Sequence, residues 1–418
     1  MPYGIDYCRN LLNTKSQRNR IRYQFYEMKN KAKDMTLVRN SQLDSIRSML
    51  GWCPKAVDSL ADRLIFKGWK NDHFNLEQIF QMNNSDIFFD SAIVSALITG
   101  CAFVYISLDD TDFPRLEVID GCDATGIIDP VTNLLKEGYA ILSRDKSGNT
   151  AKEAYFLPGS ITINEKGKDS YTISNSVPYP LLVPIIYRPD AKRPLGHSRI
   201  SRANMAIVDG AIRTVKRSEI SAEFYSFPQK YVIGLSQDAE RMDSWRAAIS
   251  SFLQFDKDED GDKPQLGQFT QQSMSPYTEQ LRTFAALFAG ENGLTLDDLG
   301  FVSDNPSSAE AIKASHETLR QTARKAQRTF GACFLNVGYL AACLRDDYPY
   351  QRRQFYLTKP MWEPIFEPDA STLTLIGDGA IKINQAIPGY FGRENLAELT
   401  GIEPGEVPTT GTGGEADE

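Results

Sequence analysis

Apolar residues recur along the last third of the chain at the step of an α-helix. Ile312, Leu319, Ala323, Ala326, Phe330, Cys333, Val337, Leu340 and Leu344 follow one another at intervals of three, four or seven, which puts them on one helical face. Lys313, Glu317, Arg320, Arg324 and Arg328 fall on the opposite face, so the pattern predicts a long amphipathic helix over 307–344. Its start is signalled twice: Asn305 can cap with Pro306 at the first helical position, or Ser307 can pair with Glu310 as a capping box. A second helix, over about 198–225, carries Ile200, Ile207, Ala211, Val215 and Ile220 and is stopped by Phe227 and Pro228. Another begins at Pro276, and shorter ones are expected over 371–386 and 393–399.

Between the helix ending near Tyr225 and the one beginning at Pro276 lies an insert. Lys230 to Leu235 and Leu266 to Thr270 read as strands, and Ser236 can cap a helix with Met242, Trp245, Ile249 and Phe252 on one face. A helical hairpin should therefore carry the insert at its tip. Earlier in the chain, helices over about 18–68 include Val57, Leu60, Ala61 and Leu64 on one face. Strands then dominate up to Tyr187, at 115–119, 139–143, 154–157, 160–164 and 170–174, punctuated by turns at Gly148-Asn149 and Lys166 to Asp169. Ser91 to Leu108 carries no charge and is near the length of a membrane span. Its character changes at Gly100, from helical spacing over 87–97 to a strand-like run from Cys101 to Ile106, so a buried helix, a glycine turn and a strand are expected rather than a span. The class is α+β.

Composition changes this picture little. A chain of 418 residues can bury a large core and split into domains. Its 54 acidic against 46 basic residues give a net charge of −8, which argues against gripping nucleic acid through a broad basic surface. The six cysteines are scattered, with no CxxC pair, and only His73, His197 and His316 are present, so neither a zinc site nor a disulfide framework is expected. A reducing compartment fits this usage, and the polar N-terminus has no signal-peptide core.

Candidate chemistry is sparse. Asp256, Asp258, Glu259, Asp260 and Asp262, with Gly261, imitate the front of a calcium loop, but the twelfth position is Gly267 where a bidentate Glu belongs, so a solvated turn is expected. No phosphate loop, nucleophile elbow, HExxH or GxGxxG occurs, and neither a catalytic site nor a cofactor is expected. His197 at a helix start reads as a capping or packing residue, and His316 as a surface or interface one. One stretch is less ordinary: Glu291, Asp297, Asp298, Asp304 and Glu310 lie between 291 and 310 with no Lys or Arg among them. A single such loop is an ordinary solvated surface unless something multiplies it.

The order of these parts resembles the portal proteins of tailed double-stranded DNA bacteriophages, in the branch found in siphophages. The likeness runs from about Arg18 to Gly401. It rests on Trp52 with Val57-Asp58 and Asp62-Arg63-Leu64 through Gly68, and on Gly100 followed by Ala102-Phe103-Val104. Further support comes from Tyr187-Arg188-Pro189 leading to Leu195-Gly196-His197-Ser198-Arg199-Ile200, and from Asp304-Asn305-Pro306-Ser307-Ser308-Ala309-Glu310-Ala311 opening the long helix.

That resemblance implies a ring, typically of twelve subunits, at one vertex of the capsid. It implies a wing (1–197), stem helices (198–225 and 276–290), a clip (226–275) and a tunnel loop (291–306). The long tunnel helix (307–344), a C-terminal wing and short crown (345–402) and an acidic tail (403–418) would complete the chain. The implied partners are further copies of the chain, double-stranded DNA held weakly and without sequence preference, the large terminase subunit, the head-tail connector, and the major capsid and scaffolding proteins; no membrane is involved. Glu291, Asp297, Asp298, Asp304 and Asn305 would then face the channel, and the clip acids at 256–262 the motor or connector. Twelve copies of a loop with five acids would present roughly sixty negative charges to passing DNA. The alternatives are another ring-forming connector or structural virion protein, or, from a different class, a nucleic-acid-processing enzyme.

Overall fold

Close backbone approaches at glycine set the junctions of this fold. In the computed structural model, which describes residues 2–32, 48–226, 230–233, 265–268, 273–301, 314–366 and 370–402, the chain divides into two units. One comprises 1–19, 57–198 and 319–418, the other 20–56 and 199–318. The division thus assigns 20–56, expected to group with the rest of the N-terminal body, to the unit that holds the helical hairpin.

The first unit is α+β. Its helices include α1 (Ile5–Tyr26, up to the division), α2 (Trp52–Ala61, beyond it), α3 (Leu76–Gln81) and α4 (Ser85–Thr99). The expected helix, turn and strand around Gly100 are present: α4 ends at Gly100, whose φ of 97° is a left-handed cap, and β2 (Cys101–Leu108) follows. A side chain at Gly100 would come within 3.1 Å of the backbone of His197 and Ser198. At Gly196, φ 79°, it would meet the Tyr187 carbonyl oxygen at 2.2 Å. Tyr187 N–H donates to the Gly100 oxygen at 3.0 Å, His197 N–H to that of Tyr187 at 2.9 Å, and the Ser198 hydroxyl to that of Ile98 at 2.6 Å. The Leu195 to Ser198 run is thus a junction that lets three backbone segments touch, and the half-buried His197 ring there lies with its Nε2 3.0 Å from Asp190 Oδ2, rather than capping or packing as expected from the sequence.

The strands are antiparallel throughout. β2 lies between β3 (Pro114–Ile119) and β9 (Leu182–Ile186), while β4 (Ala124–Ile128), β5 (Leu135–Arg144), β6 (Thr150–Leu157), β7 (Ser160–Glu165) and β8 (Tyr171–Ser174) form a five-stranded meander. β9 was not singled out from sequence because it contains Pro184. Proline is tolerated there because β9 is an edge strand. The N-terminal helix is fastened to the meander. Cys8 and Leu12 pack on Tyr139 and Tyr155, the Arg9 guanidinium pairs with Glu153, and the Glu137 carboxylate accepts the Tyr3 N–H at 2.8 Å and the Tyr155 hydroxyl at 2.7 Å.

The long helix, α7 (Glu317–Arg345), starts amphipathic and becomes buried on every side from Cys333 to Cys343, as a helix at the centre of a unit does. Phe334 meets Phe66, Phe89 and Trp362, and β1 (Phe66–Lys70) pairs with β12 (Lys359–Trp362) beside this aromatic cluster. Helices α8 (Ala370–Ala386) and α9 (Arg393–Thr400) follow, within a residue of their expected bounds. No helix among the described residues is long and apolar enough to cross a membrane.

The second unit centres on two helices, α5 (Arg202–Ser226) and α6 (Ser275–Asn292). Between them in sequence, β10 (Lys230–Ile233) pairs antiparallel with β11 (Gln265–Gln268), so both strands expected of the insert are formed and joined. The insert helix expected after Ser236, and the start of the long helix at Asn305 to Glu310, lie outside the described residues. Where the description resumes, residues 314–315 are helical and a turn at His316 precedes the regular helix from Glu317, whereas the spacing pattern predicts no interruption there.

Candidate functional site: the acidic loop and its helical hairpin

The hairpin's register can be read from its paired side chains. Asn204 meets Asn292, Gly210 meets Phe284, Thr214 meets Gln280 and Ser221 meets Tyr277. One number rises as the other falls, the signature of antiparallel helices. Apolar contacts come from Val208, Ala211, Ala285, Phe288 and Ala289, with polar rungs between them. The most buried rung is reciprocal: Asn204 Nδ2 donates to Asn292 Oδ1 at 2.9 Å and Asn292 Nδ2 to Asn204 Oδ1 at 3.1 Å. Because an unpaired amide in such a position is costly, this rung fixes one helix against the other along their length.

Arg199, itself buried, joins the end of this hairpin to a third segment. Its Nη2 donates to the Asn292 carbonyl at 2.6 Å and its Nε to that of Ala56 at 3.1 Å. The cation therefore sits on an orphan carbonyl at the α6 C-terminus, that of Asn292, where a positive charge is favoured. Further contacts run between 20–56 and the hairpin: Asn30 Nδ2 donates to Asp209 at 3.1 Å, Ser48 to Glu219 at 2.8 Å, and the Trp52 ring lies 5.7 Å from that of Phe288. Burial pushes the Asp209 carboxyl upward, against the Asn30 hydrogen bond.

The acidic loop leaves α6 through Gly293, left-handed at φ 65°, which closes the helix with the Leu294 N–H on the Ala289 carbonyl at 2.9 Å. A compact turn follows. Asp298 Oδ2 accepts the Thr295 N–H at 2.8 Å and its hydroxyl at 2.9 Å, while the Asp298 N–H donates to the Thr295 hydroxyl at 3.2 Å. This is the reciprocal arrangement of a capping box, followed by a single 3-10 turn over Asp297–Leu299. The same carboxylate oxygen lies 3.2 Å from His316 Nε2, so the far side of the loop is tied back just before the long helix. Burial opposes the charge on Asp298, but the Thr295 amide and hydroxyl and the His316 ring outweigh it and hold the carboxyl below its ordinary range.

The sequence-predicted residues divide accordingly. Glu291 is exposed on the last turn of α6 and accepts the Ser201 hydroxyl at 3.2 Å. Asp297 is exposed, whereas Asp298 is half-buried and engaged within the turn. Asp304 and Asn305 lie outside the described residues, as do the clip acids Asp256, Asp258, Glu259, Asp260 and Asp262. Asn204, Asn292, Arg199, Thr295 and His316 are the positioning residues that sequence reasoning did not find. A polar Asn at the last turn of an apolar helix, directly before Gly293, was the available signal for one of them. Among the described residues no group of three or more His, Cys, Asp or Glu side chains is arranged to hold a metal ion.

No family model matches the chain. The portal protein of Mycobacterium phage L5 is 24% identical over 397 residues, covering 88% of this chain and 79% of that protein. That of Mycobacterium phage D29 is 24% identical over 409 residues, covering 91% of this chain and 82% of the relative. Among solved structures, a chain of the virion of a native gene transfer agent particle aligns with a TM-score of 0.46 at 11% identity, covering 85% of this chain and 90% of that one. A chain from the neck of the native particle, computed with C12 symmetry, gives 0.45 at 13% with the same coverage. Along almost its whole length, this chain is similar in sequence to the portal proteins of these two mycobacteriophages.

Proposed function

We propose that the chain is a phage portal protein: copies of it, twelve in the expected ring, close around a channel at one vertex of the capsid. DNA enters and leaves through that channel. The observation that carries the reading is the sequence similarity to two phage portal proteins, which covers 88% and 91% of this chain. On this reading the first unit supplies most of the wing and α5 with α6 form the stem. The strand pair Lys230–Ile233 and Gln265–Gln268 belongs to the clip, which docks the large terminase subunit and later the head-tail connector. The protein assembles in the host cytoplasm with capsid and scaffolding proteins and ends in the virion. Its role is structural rather than catalytic.

The loop's chemistry supports such a role. Each phosphate neutralised by a protein cation releases counterions and adds affinity that must be broken when the duplex moves. A wall of exposed carboxylates without bases avoids such contacts. In the described part of the loop Asp297 presents a free carboxylate, while Asp298 with Thr295 and His316 holds its backbone in place. Sedimentation of the purified chain with purified large terminase subunit tests the docking role. A complex lost when residues 230–268 are replaced by a short glycine-serine turn is expected; no complex, or one indifferent to that replacement, contradicts it.

A further inference from the structure

The first unit carries two charged faces whose side chains form no ion pair among the described residues. On the amphipathic half of α7, Arg324, Lys325 and Arg328 are exposed along one stripe. Grooves of about 550 and 590 Å³ flank them, the first also lined by Arg188 and the second by Trp362. Among the described residues no Asp or Glu lines either groove. Arg188 holds a left-handed backbone, φ 48°, directly before Pro189, a conformation that costs energy for a residue with a side chain. Among the described residues none of these four cations forms an ion pair.

The other face is acidic. From Asn71 to Pro114 the chain has no Lys or Arg. Within this stretch Asp86 and Asp90 are exposed one turn apart on α4, a spacing at which like charges repel. Burial, Asp86 and Asp62 together raise the Asp90 carboxyl. Between the two aspartates Ile87 is 73% exposed. The buried side of α4 supplies Phe88 and Phe89, whose ring centroids lie 6.1 and 4.7 Å from that of Phe334 on α7. The two helices thus meet through aromatic side chains, while Asp86, Ile87 and Asp90 on α4 and Arg324, Lys325 and Arg328 on α7 stay exposed.

Two separate, complementary faces on one chain are what head-to-tail association needs, since a ring forms when one face of each subunit meets a different face of the next. We infer that the Asp86, Ile87 and Asp90 face of one copy docks on the Arg324, Lys325 and Arg328 face of its neighbour. The occupant is a second copy of this chain rather than nucleic acid, because the chain itself supplies a matching acidic, partly apolar face, and Trp362 and the grooves offer apolar surface for Ile87. The inference rests on the ring assembly proposed above, and its test separates the two.

Two full-length variants are made, Asp86→Lys with Asp90→Lys, and Arg324→Glu with Arg328→Glu. The fraction of protein in rings is measured by mass photometry at one concentration and salt. Each variant alone brings like charges together at every contact and is expected to lose at least five-fold of the wild-type ring fraction. An equimolar mixture restores opposite charges at every contact if the two variants alternate, and is expected to recover rings to within two-fold of wild type. Rings at the wild-type level in either variant alone, or no recovery on mixing, overturn the contact and leave the ring reading intact. Unchanged rings with weakened DNA binding in the arginine variant overturn it by giving the basic face to nucleic acid. A wild-type protein without rings overturns both readings.

Discussion

Asn204 and Asn292 show how much one buried rung decides. Each amide is the other's partner and both are almost fully enclosed, so Asn292→Leu leaves the Asn204 amide oxygen without its donor while the Arg199 bond to the backbone carbonyl at 292 is kept. A loss of about 1–3 kcal/mol is expected, read as a lowered unfolding midpoint, with non-additivity in the Asn204→Leu double variant because the two sites are in contact. Asp298 has a signed dependence on pH. Its folded carboxyl titrates below the ordinary value of about 3.9, so its contribution is complete above that value and is lost as pH falls through the depressed one. The protection factors of the Thr295 and Asp298 amides, taken relative to intrinsic exchange at each pH, should fall on acidification through that window, and Asp298→Asn should remove this pH dependence. At the exposed neighbour the expectation is functional: Asp297→Lys places a cation in a stretch that has none and slows DNA packaging, and packaging at the wild-type rate would contradict the channel assignment.

At the scale of elements, the helices were legible because their apolar residues recur over many turns. Ser275–Asn292, Ala370–Ala386 and Arg393–Thr400 lie within a few residues of expectation. The strand pair of the insert was legible for the same kind of reason, two β-rich runs between helix boundaries. Ala124–Ile128 and the pair Phe66–Lys70 with Lys359–Trp362 were not, since short strands acquire meaning only from partners, here nearly three hundred residues apart. The turn at His316 was hidden because the spacing of Ile312 and Leu319 fits a continuous helix equally well. The Leu195 to Ser198 junction could be matched as a motif, but its cause, a carbonyl 2.2 Å from where a Gly196 side chain would begin, required the fold. Gly196→Ala must relieve both that collision with backbone and a left-handed φ, so a loss of about 3 kcal/mol or more is expected, measured as a fall in thermal midpoint against wild type.

For the whole molecule, the acidic loop could be located in the sequence but not explained by it. Glu291 and Asp297 are exposed as an ordinary solvated loop would have them, and in the proposed ring their repetition about an axis would give that charge a purpose. The structure adds a reason for the loop's definite shape: it leaves a helix held by Asn204 and Arg199 and is tied back through Asp298 and His316. On the proposed portal reading, such fastening would keep the loop's carboxylates in place beside moving DNA. The measurement that bears most directly on this account is an electron micrograph of the purified full-length chain. Closed rings with an open central channel, twelve-fold in averaged end views, are the predicted result. A monodisperse monomer across the micromolar range would contradict it.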